Sequence, residues 1–202
     1  MHKTIEPKIM YFGTPVVLVS TLNEDGTPNL APISSAWWLG NSCMIGMGTR
    51  SKTVENLRRE KQCVLNLPSA EMVDAVDRLA LTTGKNPVPD YKTKMNFIYE
   101  PFKFERAGLT KIESELVNSP RVLECPVHLE GLVKREHHFG SESSNLAGFE
   151  IEILRVHIEE SLLNSDKRHH IDPDKWKPLI MSFCEFYGTG NKLHPSRLAE
   201  VF

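Results

Sequence analysis

The chain has 202 residues, 40% of them hydrophobic, and a formal net charge of -2, enough for a single domain over 1–202 with a sizeable core. That charge balance gives no general electrostatic reason to expect nucleic acid as a partner, and no apolar run approaches the ~20 residues that span a bilayer. Met1-His2-Lys3-Thr4-Ile5-Glu6-Pro7 lacks the apolar core of a secretion signal, and Cys43, Cys63, Cys125 and Cys184 form no CxxC pair, so a cytoplasmic protein with free thiols is expected.

In chain order, Val16-Val17-Leu18-Val19 followed by Ser20-Thr21 is β-branched and apolar and predicts a strand. Asn23-Glu24-Asp25-Gly26 is turn chemistry, and the return strand starts at Thr27. Pro32 on that return forfeits a ladder donor, which predicts an edge strand or a local break. Cys43, Ile45 and Met47 alternate with a face thinned by Gly46 and Gly48, where a backbone or a flat ring can come close. A helix follows from an N-cap at Ser51, with a narrow apolar stripe through Val54 and Leu57. Gln62 to Leu67 reads as a strand, and helical spacing from Ser69 predicts a second helix ended by Gly84. Thr83 to Pro101 has no sustained period and predicts a lid or an interface arm. Beyond it, Val122 to Arg135 alternates, with His128 and Glu130 opposite the apolar register and a bulge allowed at Gly131. Phe149 to Ile158 is a further strand, and Asp172-Pro173 is a helix-start signature. Strands predominate and most connections are too short for parallel crossovers, which favours an antiparallel barrel.

Gly46-x-Gly48-x-x-Ser51 approaches the dinucleotide fingerprint, but the third glycine is missing and the neighbouring connections are hairpin-like. The same turn has another use. Arg50, Ser51, Lys52 and Thr53 bring two cations, hydroxyls and the N–H groups of a helix start to one point, which suits a phosphate. A plain capped helix with solvated cations fits the spacing equally well. Trp37 and Trp38 fit either a ring-stacking surface or a core, and Ser34 and Ser35 either a ligand or the backbone irregularity at Pro32. The eight histidines show no metal-ligand spacing, and no nucleophile motif or acidic pair stands out. Any chemistry is therefore expected to come from a cofactor, with no catalytic side chain.

Asn29-x-Ala31-Pro32-x-Ser34-Ser35, Arg50-Ser51-Lys52-Thr53 with its helix, Asn66-Leu67-Pro68, Lys103-Phe104 with Gly108-Leu109-Thr110, and Glu124-Cys125-Pro126-Val127-His128-Leu129-Glu130 occur in an order that resembles the FMN-binding, flavin reductase-like split-barrel family, which includes the flavoredoxins. The resemblance extends to about Ile158 and is looser in the tail. It implies a mainly β fold with peripheral helices, a six-stranded antiparallel Greek-key split barrel. It also implies a homodimer with FMN at the subunit interface. Arg50, Ser51, Lys52 and Thr53 would take the phosphate, and Asn29, Ser34, Ser35 and Trp37 would line the ring and ribityl chain, with Asn66 nearby. His128 and a lysine from the loop or Lys103 would complete the site. Ser165 to His170 is a polar insertion where the family ending is compact. The activity implied is oxidoreduction from NAD(P)H through the flavin to an acceptor. A flavoredoxin-type carrier serving a redox protein, or a module holding FMN or haem without catalysis, stands beside it.

Overall fold

The computed structural model describes residues 1–167 and 169–200; Arg168, within the polar insertion, lies outside the described residues. Strands β1 (Phe12–Pro15), β2 (Val17–Leu22), β3 (Pro28–Ile33), β4 (Ala36–Leu39) and β5 (Ser42–Gly48) lead to helix α1 (Lys52–Glu60) and β6 (Gln62–Leu67). Short elements follow: α2 (Val73–Asp77), β7 (Thr82–Thr83), α3 (Asp90–Thr93), β8 (Ile98–Tyr99), α4 (Lys103–Ala107), β9 (Lys111–Ile112) and β10 (Arg121–Val122). Two long strands, β11 (Val127–His138) and β12 (Leu146–Ile158), precede the hairpin of β13 (Ile180–Ser182) and β14 (Glu185–Tyr187). Among the described residues no helix is long and apolar enough to cross a membrane.

Seven strands form one antiparallel sheet in the order β3-β2-β6-β11-β12-β5-β4. Its two edges, β3 and β4, are consecutive in the chain and separated by Ser34-Ser35 alone. The sheet must therefore curl until its edges meet at that corner, where the Gly46 N–H donates to the Ser35 carbonyl at 2.7 Å. No ladder joins β3 to β4. The expected six-stranded barrel is thus a seven-stranded sheet, curled and split along one seam. Pro28 and Pro32 sit on an edge strand, where a missing donor costs no ladder bond.

The period of two along β2 divides the interior. Val17 and Val19 join Ile45, Leu57, Leu65, Phe149 and Ile151 in one cluster, while Val16 and Leu18 join Leu30, Val76, Leu79, Phe104 and Leu179 in another. Helix α1 begins as its sequence predicts: Ser51 is extended and its Oγ accepts the Val54 N–H at 3.2 Å. Its apolar stripe, Val54 and Leu57, is fully buried. The register of β11 on β12 shifts between Glu130 and Gly131. A Cβ at Gly131 would stand 2.5 Å from the Ile151 side chain, so the bulge needs glycine there.

Three local expectations are corrected. The helix from Ser69 is a 3-10 turn and the short α2, which ends well before Gly84; Leu81 has φ +54 and the β-branched pair Thr82-Thr83 runs extended beside β8. Asp172-Pro173 starts a single turn, because Pro178 cannot continue a helix and the Leu179 N–H donates to the Pro68 carbonyl at 3.1 Å. His128 and Glu130 are buried although they oppose the apolar register, since the segment from 113 to 122 covers that face.

Candidate functional site

A cavity of about 420 Å³ lies beside the Ser34-Ser35 corner. One part of its lining is polar: the corner itself, Gly46 and Gly48 of β5, Ser51, Lys52 and Thr53 at the start of α1, Thr82 to Gly84, Lys92 of α3 and Lys103 of α4. The other part is apolar, from Tyr11, Val16, Val76, Leu79, Met181 and Phe186. Three lysines line the cavity, and no aspartate, glutamate, histidine, cysteine or arginine does. The lining is therefore electropositive on one side and apolar on the other.

The hydroxyls at the helix start are held from behind. Asn29 donates its amide to Thr53 Oγ1 at 3.0 Å and to Thr21 Oγ1 at 3.2 Å, and Asn56 donates to the same Thr21 oxygen at 3.0 Å and to Asn23 Oδ1 at 2.9 Å. Thr53 Oγ1 accepts from Asn29 and Ser51 Oγ from Val54, and neither hydroxyl donates to a protein group among the described residues. The first N–H groups of α1 have no partner within the helix, and its dipole favours an anion there. The segment at Gly84 presses closely on this point: a Cβ at that position would come within 3.0 Å of Asn29 Oδ1 and 3.1 Å of Lys52 Cγ.

The three cations differ in their surroundings. Lys52 has only distant carboxylates, Glu24 at 3.9 Å and Glu55 at 3.8 Å. Lys92 donates to Thr83 Oγ1 at 3.1 Å, and burial, followed by the charge of Lys85, pushes its ammonium down. Lys103 is 5% exposed and makes no hydrogen bond or ion pair among the described residues. Burial, reinforced by the Lys92 charge and opposed by Glu100, pushes the Lys103 ammonium down to about 8.

The family model described as "Flavin reductase like domain" matches residues 9–184. The chain belongs to that family. The uncharacterized protein YdfE of Bacillus subtilis (strain 168) is 42% identical over 191 residues, covering 95% of this chain and 91% of that protein. Flavoredoxin of Desulfovibrio vulgaris (Miyazaki F) has a similar fold, with a TM-score of 0.80 at 24% identity over 99% of this chain and all of the other. Nitrilotriacetate monooxygenase component B from Bacillus cereus aligns with a TM-score of 0.77 at 19% identity, over 96% of this chain and 99% of that one.

In this flavin reductase-like chain, Ser34, Ser35, Ser51, Lys52, Thr53 and Lys103 come together around the cavity. Asn29 stands one layer behind, supporting Thr53. The other expected residues lie elsewhere. Arg50 stacks its guanidinium 4.3 Å from the ring centre of Tyr91, outside the cavity. Trp37 is on β4 and more than half exposed. Asn66 and His128 face each other across β6 and β11, where both hold Val122. Asn66 donates to the Leu18 carbonyl at 3.0 Å and accepts the Val122 N–H at 2.9 Å. His128 Nε2 lies 2.7 Å from the Val122 carbonyl, which requires the proton on Nε2; Nδ1 is buried without a partner among the described residues, and burial pushes the imidazolium down, keeping the ring neutral.

Sequence reasoning did not single out Lys92, Thr82, Tyr11, Met181 or Phe186. Lys92 comes from the segment whose lack of period predicts a lid, an interface arm or a mobile segment, and from which the resemblance implies an unspecified lysine. Tyr11 and Phe186 come from chain segments far from the turn at Arg50 to Thr53: Phe186 lies on β14 of the three-stranded sheet, and the carbonyl of Tyr11, just before β1, accepts the Phe183 N–H at 2.8 Å.

Proposed function

We propose that this chain is an FMN-dependent oxidoreductase that takes electrons from NAD(P)H and passes them to an acceptor, with FMN in the cavity described above. What carries this reading is a cavity lined by three lysines and no carboxylate, set against the capped start of α1. Its volume suits one flavin-sized ligand. The residues present fit the group. The Ser51 and Thr53 hydroxyls, the Lys52 ammonium and the first N–H groups of α1 would hold the phosphate. Ser34, Ser35 and the glycine-thinned face of β5 would lie along the ring, with Met181 and Phe186 excluding water on the apolar side. When bound, FMN supplies the hydride and electron chemistry that no side chain lining the cavity can; the protein orients the ring and surrounds it with positive charge.

A homodimer is part of the same proposal: Phe12, Phe183, Trp37 and Leu39 are large apolar side chains with substantial exposure, and Phe12 and Phe183 make an edge-to-face pair at 4.8 Å. Trp37 and Arg50 would then reach ligand only across that interface. Buried free thiols at Cys43, Cys63 and Cys125 accord with a reducing, cytoplasmic setting. The first test titrates flavin-free protein with FMN and with riboflavin. FMN should bind at least about tenfold tighter, as a charge-assisted phosphate site requires; equal affinity would remove the phosphate assignment. Stopped-flow mixing of the FMN-loaded protein with NADH or NADPH then decides the donor. Fast bleaching supports the reductase, and none leaves the flavoredoxin-type carrier.

A further inference from the structure

Lys103 is the one ionisable side chain of the cavity that the fold leaves without any partner. It lies on α4, is 5% exposed, and has no hydrogen bond or ion pair among the described residues. Its charged neighbours do not neutralise it. Lys92 on α3 repels it, and Glu100, the acid in the segment before α4, attracts it only in part. On α4 itself, Glu105 pairs with Lys111 at 3.2 Å. From α2, Arg78 donates to the Ala107 carbonyl at the far end of α4, and Asp74 and Asp77 are exposed; β3, which also packs on α4, carries no ionisable side chain. Lys52 faces the same cavity from α1. A buried ammonium is strongly disfavoured unless an anion accompanies it.

We propose that Lys103 is a proton-linked binding residue: an anionic ligand entering the cavity draws one proton onto this amine. The amine is partly neutral in the chain alone and becomes a full cation beside the ligand, so the charge of the cavity follows that of its occupant. The consequence is a binding affinity that falls as pH rises, with a slope of up to one proton between the two titration points of Lys103. This differs from holding FMN by fixed charges, and it rests on the flavin reading only for the choice of probe.

The experiment follows the 13C-labelled lysine side chains of the whole chain by NMR as pH is raised, with Lys103→Arg identifying the Lys103 signal. In the protein alone Lys103 should titrate near 8, as its surroundings dictate. Saturating FMN should move it up by about one pH unit or more. Calorimetry at pH 8.5, in buffers of different ionisation heat, should then read an uptake of roughly 0.5 proton or more per FMN. Lys103→Arg, which keeps a charge that cannot titrate, should retain FMN and lose the uptake. Titration of Lys103 in the ordinary lysine range, or a signal unmoved by bound FMN, overturns the proposal. If FMN does not bind at all, the flavin reading fails separately, and inorganic phosphate becomes the probe: a rise in the Lys103 titration supports the linkage, and no rise overturns it.

Discussion

Two buried polar regions of this molecule put their polar side chains to opposite ends. On the face of β6 and β11 covered by the segment from 113 to 122, the polar side chains answer backbone groups. Glu130, fully buried, accepts N–H groups from Glu115 at 2.9 Å and Leu116 at 2.6 Å and is bonded by His157 Nε2 at 2.7 Å, while Asn66 and His128 clasp Val122 from both sides. Around the cavity, the hydroxyls of Ser51 and Thr53 and the ammonium of Lys103 line the space and donate to no protein group among the described residues. The first region is satisfied within the fold, and the second is left open. Burial and polarity alone do not separate them. What separates them is whether the fold already supplies each donor and acceptor with a partner.

The sharpest way to break this contrast is Glu130→Ala. It strips a buried acceptor from two backbone N–H groups and a histidine, and stability measured by urea unfolding should fall by about 3–5 kcal/mol. FMN affinity of the folded protein should not change; if it did, the clasp would belong to the site. Lys103→Met should act in the reverse sense. The Lys103 amine titrates near 8 in the fold and near 10.5 when unfolded. The unfolded chain therefore binds more protons between those values, and the cost of holding this lysine is absent above the window and complete below it. At pH 7, Lys103→Met, which keeps the apolar stem, should stabilise the chain by roughly 2–3 kcal/mol while weakening FMN binding. The gain should vanish above about pH 10.5, as pH-dependent unfolding curves will read. The smallest effect sharpens the edge of the cavity. Lys52→Ala should cost about tenfold in FMN affinity, whereas Arg50→Ala should cost threefold or less and lower stability by about 0.5–1 kcal/mol through the lost stacking on Tyr91. Equal losses of affinity would put Arg50 back at the phosphate.

Much of the fold was legible because period and caps agree with tertiary contacts. The strand at 42–48, the Ser51 cap and the strand at 62–67 all lie where their patterns place them. Pattern failed where distant chain overrode local preference. His128 and Glu130 read only as the register opposite the apolar one, because nothing in their own strand announces the segment that covers them. The half of the cavity at Ser34-Ser35 and Ser51 to Thr53 was readable because it occupies one continuous stretch of sequence. The opposite half was legible only as an unspecified lysine of the loop that carries Lys92, since Tyr11, Met181 and Phe186 carry no signal until topology unites them. Arg50 marks where local reading stops: its charge matches the expected chemistry, but within one chain its side chain lies against the ring of Tyr91.

The pairing of β1 with β13 places one wall of the cavity under the control of translation order. A nascent chain can complete the curled sheet once β12 has left the ribosome, yet it cannot seal the apolar side until Met181 and Phe186 have followed. During that interval the apolar side of the cavity is open to water, and Leu179 is still missing from the second buried cluster. Completion of the cavity is in that sense a late event, separated from the sheet by the synthesis of one small hairpin.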